Sequence, residues 1–572
     1  MRKEAGWTTI FWLASAIWIF LSLYFRQDRL YGDTAFYLFN CVNDLKLFVA
    51  HDRPVGALVQ LAPLFLAKLN AEMDLIIAAM SLNESFLMVL FASIPIFIFR
   101  DWRMAVAAML PLFLGVRWNY FNLVSELIIC TPVFIVAMSM LWKHPNSINV
   151  RYAFIPAVVF LLINHPLYYL IVPPIYLFLI ANRKVPKEWA IIHFLIIAVT
   201  IVLKIFNADA YDQNQILATN TSNLGDILWK YFQIDNVLVL LRNVGFLFLL
   251  LILHIIQLQK NSLKPVFYGT VLFLVGLFIL VLAKFEALFP STMEPFERYL
   301  YPLPLVAGFL FYVYPLPKQR LSLILVGAII LFQSLLIVNY GKDVNIRYMQ
   351  LSNVIRYAQD HHLSKVVVRY GHFNPHRLGH DWSMTGESLL LSKRIGNKRT
   401  VQVSIFESFD ADLLKSISPD QYVHFPWWAI DEGELNPEYF YLYRQPTRLI
   451  NSPIRDATVY NEEYFRNVWI EMDMPTEPLA ASKKFIQISL FNNNTIPLQS
   501  GDDEIYWQLE GRWMKKDSII MKTSYSKLLA DLDKSLTQLM QIDIPDNKDD
   551  VKLKFYLTIR EREYFIRSVI RQ

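Results

Sequence analysis

The stretch at residues 7–40, "WTTIFWLASAIWIFLSLYFRQDRLYGDTAFYLFN", decides how the rest of the chain is read. Its first part, 7–25, is apolar and long enough for a helix crossing the hydrocarbon core, which takes about 20 such residues. No small-residue cleavage site follows the run, and "YFRQDR" closes it. The pattern predicts a retained membrane helix rather than a signal peptide. Directly behind it, Gly32 and Asp33 introduce aromatics and a segment of helical spacing. A carboxylate therefore stands where the chain first leaves the bilayer.

The whole composition supports a membrane protein. Of 572 residues, 55% are hydrophobic, 15% aromatic and 18% charged, below the roughly 25% charged of soluble domains. The mean hydropathy is +0.33. A net charge of +5 over this length does not indicate a nucleic-acid partner. Cys41 and Cys130 are too few and too far apart for a disulfide framework or a zinc site.

The long apolar runs fall within 1–340, near 7–25, 78–99, 104–116, 124–142, 152–164, 166–181, 189–206, 236–257, 266–284, 299–316 and 321–340. The pair flanking "NHPLYY" reads as one kinked helix or two. Basic residues gather in alternate connections: "RDWR" (100–103), "KHPNSINVR" (143–151), "NRKVPKEW" (182–189), "QKNSLK" (259–264) and "PKQR" (317–320). The positive-inside rule then predicts about 11 membrane helices, with the N-terminus in and the C-terminus out. The stretch 55–67, "VGALVQLAPLFLA", is short, contains Pro63 and would reverse that parity, so it reads as a helix lying at the outer face. Segment 35–50 has the spacing of an amphipathic interfacial helix, with Asn40, Asn43, Asp44 and Lys46 toward another side.

The expected fold class is therefore a polytopic α-helical membrane domain (1–340), followed by a soluble α/β region (341–460) and an all-β sandwich (461–572). In the α/β region "NVIRYAQDHH" reads as helix, and "SKVVVRYG", "TVQVSIF" and "YFYLYRQP" as strands. "WIEMDMP", "KKFIQISLFNNNTIPLQ", "IYWQLEGRWMKK" and "VKLKFYLTIRERE" read as later strands. "SKLLADLDKSLTQL" (526–539) has helical spacing. His372, His376 and His380 stand four apart, but Pro375 and Gly379 interrupt the helix that metal ligation would use, so they read as loop histidines. Trp427 and Trp428 precede Asp431, Glu432 and Glu434; core packing or sugar stacking fits them. No GxGxxG, Walker, HExxH or paired CxxC pattern appears, which argues against an energy-driven pump and a zinc hydrolase. Asn220 and Asn493 lie in glycosylation sequons.

Many membrane helices, an acid just after the first, a structured first outer loop and an outer soluble domain together resemble the GT-C superfamily. These are integral-membrane glycosyltransferases that use polyprenyl-phosphate-linked sugars. The resemblance implies that Asp33 of "GDTAFY" acts at the acceptor or at a metal. "EPFERYLYPLPLVAG" (294–308) resembles the late-helix segment of such enzymes, in which Arg298 would meet the lipid phosphate, with Tyr299 and Glu294 beside it. The second adjacent acid found in many relatives is missing after Asp33, so a divalent cation is left open and no other cofactor is implied. "ISLFNNN", "LEGRWMKK", "LMQIDIPDN" and "LKFYLTIRE" resemble, in order, an Ig-like module of glycan-processing enzymes.

Chemistry supports the same residues independently. Transfer from a phosphate-linked donor needs a base for the acceptor hydroxyl and cations for the leaving phosphate, and Arg binds phosphate bidentately. Gly-Asp-Thr is also ordinary helix-start chemistry, and an Arg at a helix end also anchors at an interface. Further candidates on the outer side are Arg117 and Glu126 of "RWNYFNLVSE", His51 and Arg53 of "HDRP", and His165 of "NHPLYY". His165 is equally readable as a turn residue before Pro166. The implied activity is transfer of a sugar from a polyprenyl-phosphate donor to a glycan, lipid or protein acceptor, in a bacterial inner membrane with the C-terminal part outside. A glycopolymer ligase or polymerase is the enzymatic alternative. A lipid-linked glycan transporter or an envelope assembly scaffold is the non-enzymatic one.

Overall fold

The computed structural model describes residues 2–50, 53–122, 125–207, 229–258, 275–276, 278–279, 281–282, 285, 288, 290–314, 318–369, 383–395, 399–406, 422–424, 429–442, 448–450, 468–473, 483–492, 508–515, 518–522, 526–527, 535–543, 551–559 and 562–571. His51, His372, His376, His380, Trp427, Trp428, Asn220, Asn493 and most of the expected span at 266–284 lie outside them. The chain divides into two compact units. One comprises 1–345, 379–402 and 421–442, the other 346–378, 403–420 and 443–572.

In the first unit the helices are α1 (Arg2–Tyr24), α2 (Asp33–Asp44), α3 (Val55–Lys68), α4 (Met73–Phe99), α5 (Trp102–Gly115), α6 (Glu126–Ile129), α7 (Thr131–Lys143), α8 (Ile148–Asn164), α9 (Leu167–Ala181), α10 (Lys187–Phe206), α11 (Ile234–Leu258), α12 (Pro290–Leu300) and α13 (Pro302–Val313). After them come α14 (Gln319–Asp360), a single helix, and α15 (Met384–Ile395). Among the described residues six helices are long and apolar enough to cross a membrane: Glu4–Tyr24, Met73–Phe99, Glu126–Lys143, Lys187–Phe206, Ile234–His254 and Gln319–Asp360. α5, α8, α9 and α13 are shorter apolar helices.

α5 sits at the centre of this unit, and every side chain from Met104 to Gly115 is buried. It crosses α13 closely because each helix offers a glycine to the other's proline. A Cβ on Gly308 would lie 2.7 Å from Pro111 Cγ, and one on Gly115 2.5 Å from Pro304 Cγ. Small residues at a crossing let apolar helices approach where no water is squeezed out to drive them together.

The expected pair at 152–181 is two helices, broken at His165 and Pro166, where His165 adopts an extended backbone. A residue preceding proline is pushed out of the helical region, and the break falls there. α3 spans 14 residues, roughly 21 Å at 1.5 Å per residue, too short to cross about 30 Å of hydrocarbon. Leu61 and Phe65 are exposed on it while Val55, Val59 and Ala67 are buried, so one face packs inward.

α2 differs from the interfacial helix read at 35–50. It stops at Asp44, with Leu45 in the left-handed region at φ 51°. Gln60 of α3 then holds Phe48 by its backbone, accepting from the N–H at 2.9 Å and donating to the C=O at 2.6 Å. The polar side of α2 meets protein: Asn43 Oδ1 accepts from Asn436 N at 3.0 Å, and Asn436 Nδ2 donates to Val42 O at 3.0 Å. Its buried side carries Ala35, Leu38, Phe39, Cys41 and Val42.

In the second unit, β1 (Lys365–Arg369) pairs in parallel with β5 (Arg448–Ile450), and β2 (Gln402–Phe406) flanks β1. Described residues 439–442 of "YFYLYRQP" form no strand. β3 (Tyr422–His424) and β4 (Ala429–Asp431) make a small hairpin in the first unit. Eight further strands form a connected sheet: β6 (Val468–Asp473), β7 (Lys483–Asn492), β8 (Gln508–Lys515), β9 (Ser518–Lys522), β10 (Ser526–Lys527), β11 (Ser535–Asp543), β12 (Val551–Ile559) and β13 (Arg562–Arg571). Their order is β10-β8-β12-β13-β6-β7-β11, with β9 also on β8, and only β13–β6 is parallel. Val468 and Ile470, Ile488 and Leu490, and Phe555 and Leu557 are buried in alternation, as a strand with one covered face requires. The helix expected at 526–539 is overturned at 526–527, which form β10, and at 535–539, which belong to β11. Nine register pairs with β7 outweigh the weak local helical spacing.

Candidate functional site

Asp33 is the first residue of α2. Gly32 precedes it at φ 58° and ψ −127°, a backbone conformation that side-chain-bearing residues avoid. The glycine thus turns the chain out of the 25–31 segment, and the carboxylate lands at the helix N-terminus, where the dipole favours negative charge. Just upstream, Leu30 makes an antiparallel bridge with Asn122. That bridge brings the segment after α5 against the start of α2.

Asn122 Nδ2 donates to Asp33 Oδ2 at 3.1 Å and to Glu294 Oε1 at 2.9 Å. Arg298, one turn after Glu294 on α12, reaches both acids through Nη2, at 3.6 Å from Asp33 Oδ2 and 3.2 Å from Glu294 Oε1. Two carboxylates thus share one guanidinium and one amide. Glu294 is nearly buried, while the Asp33 and Arg298 side chains keep 32% and 26% of their surface open. A solvent-reachable pair of this kind contributes about 0–1 kcal/mol to stability.

One turn along α2 from Asp33, Tyr37 donates its hydroxyl to Glu126 Oε1 at 3.2 Å, and Arg53 Nη1 lies 3.4 Å from Glu126 Oε2. Burial, with Glu126 and Asp33 adding, raises the Tyr37 pKa and keeps the phenol protonated. His165 is buried beside this group. Burial lowers its pKa well below the ordinary value, and Arg53 and Arg298 lower it further, so the imidazole is neutral. Leu167 N–H donates to its Nδ1 at 3.2 Å, which assigns the ring proton to Nε2. Asn164 Oδ1 accepts from Val55 N at 2.8 Å and fixes the start of α3, and with it Arg53, against the end of α8.

Asp33, Glu294 and Arg298 are thus in direct contact. Glu126 and Arg53 join them through Tyr37, and His165 through the fields of the two arginines. Tyr299 follows Arg298 on α12, and its ring stands 6.2 Å from that of Phe285.

Arg117 meets α12 at Glu297, one turn after Glu294. Its backbone N–H donates to Glu297 Oε2 at 3.0 Å, and the N–H groups of Trp118 and Asn119 donate to the same carboxylate at 3.3 and 3.2 Å. Burial raises the Glu297 pKa, while Arg117 and these three N–H groups pull it back. Glu297 is a buried cap on the Trp118–Tyr120 turn. The Arg117 guanidinium is fully buried, and none of its nitrogens has a hydrogen-bond partner. Trp118 and Tyr120 are buried too.

Asn122 was missed in sequence, although a polar residue amid the aromatics of "WNYFN" is the signal that marks it. Arg29 was missed as well. Its Nε donates to Tyr120 O at 2.9 Å, Nη1 to Ser81 O at 3.0 Å, and Nη2 to Glu84 Oε2 at 2.6 Å. Among the described residues, no group of three or more His, Cys, Asp or Glu side chains is arranged to hold a metal ion.

The class these observations define is a protein with several helices long and apolar enough to cross a membrane, bearing a mixed-charge polar cluster directly behind the first of them. Comparison with protein-family models, with curated proteins and with solved structures finds no match to this chain in any of the three.

Proposed function

We propose that the chain is an integral-membrane glycosyltransferase of GT-C type. It moves a sugar from a polyprenyl-phosphate donor to a glycan, lipid or protein acceptor on the extracytoplasmic side. One observation supports the reading above the others: Asp33, just after the first helix, lies 3.6 Å from Arg298 of the late helix α12, with both side chains partly open. Those are the acid and the cation that transfer from a phosphate-linked sugar requires. Asp33 takes the proton of the acceptor hydroxyl, and Arg298 neutralises the departing phosphate. Asn122 and Glu294 are positioning residues that orient the two. The neutral His165 and the Tyr37–Glu126–Arg53 group lie next to the cluster and shape the acceptor side.

In this reading about 11 spans place the N-terminus in the cytoplasm of a bacterial inner membrane. The strand-rich C-terminal part, including an Ig-like module, then stands outside. The alternating basic connections support that orientation.

The test is turnover of a panel of polyprenyl-phosphate hexoses and pentoses by the full chain in nanodiscs. Asp33→Asn should lower kcat by at least about 100-fold, as removal of a general base does, with an unchanged melting temperature. Arg298→Gln should raise KM and lower kcat together. Undiminished transfer by Asp33→Asn would sink the assignment.

A further inference from the structure

Beside Glu297 lies a further group of polar atoms, outside the Asp33 cluster. The Arg117 guanidinium is fully buried and makes no hydrogen bond through Nε, Nη1 or Nη2. The indole Nε1 of Trp118 and the amide Nδ2 of Asn243 are buried and unpartnered as well. Tyr340 of α14 organises them. Its ring lies 5.2 Å from that of Trp118, its hydroxyl donates to Asn243 Oδ1 at 2.6 Å, and the Arg242 guanidinium stands 5.4 Å from its ring centre. The charged groups acting on Arg117 are Glu297 and Arg242, together with the Tyr340 phenol.

The unpartnered atoms of Arg117, Trp118 and Asn243 are all N–H donors, five against the single unpartnered acceptor of the turn, Asn119 Oδ1. Buried donors left without acceptors are costly, and native structures nearly always satisfy them. Among the described residues the carboxylate acting on Arg117 is Glu297, and it does not do so. Glu297 accepts from the backbone of Arg117, Trp118 and Asn119, and it forms no ion pair with the Arg117 guanidinium. Two guanidinium groups against one carboxylate leave the region net positive. Arg242 is exposed, so it marks the side from which a ligand arrives.

We infer that Arg117, Trp118, Asn243 and Arg242 form an anion-binding site around Tyr340 that takes a phosphoryl group. A planar guanidinium, an indole N–H and an amide N–H₂ complement the several acceptor oxygens of a phosphate better than a single carboxylate. The phosphoryl group belongs to a lipid headgroup or to a free phosphate. The site stands whatever reaction the Asp33 cluster performs.

Two probes separate the sources, both applied to the full chain in detergent or nanodiscs. Equilibrium dialysis with radiolabelled inorganic phosphate reads the free anion. Native mass spectrometry after exchange into phosphatidate-containing or pure phosphatidylcholine nanodiscs reads the headgroup. The wild type should retain one anion in at least one format. Arg117→Met should weaken it at least about tenfold and Arg117→Lys less, since Lys keeps the charge but not the fork. Arg242 is exposed, so Arg242→Gln tests the site without disturbing the core and should weaken binding about three- to tenfold. Retention of phosphate alone assigns a soluble ligand; retention of phosphatidate alone assigns a lipid. Binding of neither probe, or affinity unchanged in Arg242→Gln, overturns the proposal. Sugar transfer enters neither measurement, so a failure here leaves the Asp33 reading intact.

Discussion

Two fully buried arginines flank the 117–122 segment, and they are treated in opposite ways. Arg29 is saturated. Its fork is divided among the Tyr120 and Ser81 carbonyls, the Ser81 and Ser85 hydroxyls and Glu84, and it lies 4.3 Å from the Tyr120 ring centre. Arg117 has no side-chain hydrogen bond. Burial alone therefore says nothing about purpose in this protein. What separates a scaffold residue from a ligand residue is whether the surrounding backbone has already supplied the acceptors. At Arg29 the acceptors come from α4 and the 118–120 turn. At Arg117 the same turn spends its nearest acid, Glu297, on backbone N–H groups.

Substitutions that treat the two arginines alike should expose the difference. Arg29→Met leaves Glu84 buried without its partner, and breaking a buried pair in this way costs about 3–5 kcal/mol. The variant should lose much of its thermal stability in a nanodisc melting experiment, or fail to accumulate; a melting temperature equal to wild type would show the network to be dispensable. Arg117→Met removes an unsatisfied buried charge. In phosphate-free phosphatidylcholine nanodiscs its stability should match or exceed the wild type's by up to about 1–2 kcal/mol. A loss as large as that of Arg29→Met would mean that Arg117 holds the fold.

The smallest effect expected is pH-dependent. Asp28, buried and accepting from Asn345 Nδ2 at 3.0 Å, has its pKa raised from 3.8 to about 6 chiefly by burial. A carboxyl with a raised folded pKa stabilises fully below its unfolded value and loses that contribution as pH rises through the folded one. Stability should therefore fall between about pH 4 and 6, by on the order of 2–3 kcal/mol. Asp28→Asn keeps an acceptor oxygen for Asn345. It should melt higher than wild type at pH 7.5 and equally at pH 4, and a pH-independent difference would contradict burial as the cause.

The longer helices were legible in sequence, because an apolar run near 20 residues has few alternatives, and six such helices stand among the described residues. The break at His165-Pro166 was legible as a choice between two readings, and backbone sterics at the proline settled it. Asp33, Arg298 and Glu294 could be named as candidates because each is a charge beside an apolar helix and lies in a motif that resembles a known family. Asn122 and Arg29 could not be weighted, since their importance comes from partners 89 and 55 residues away. The end of α2 was misjudged because Leu45 turns left-handed and Gln60 clamps Phe48, neither of which is written in the local periodicity. Residues 535–539 carry helical spacing yet pair as a strand, since sheet ladders are won by distant segments.

By itself, then, the sequence determined that this chain builds apolar helices long enough for a membrane, that an acid follows the first of them, and that its last part is strand-forming. These follow from side-chain hydropathy and spacing, which act locally. Only the tertiary structure decided which charges meet. Asp33 and Arg298, 265 residues apart (298 − 33), share a contact, while Arg117, five residues from Asn122, is left without a hydrogen-bonded partner for its guanidinium. Hydrogen bonds and ion pairs act over a few ångströms, and only packing brings distant segments that close.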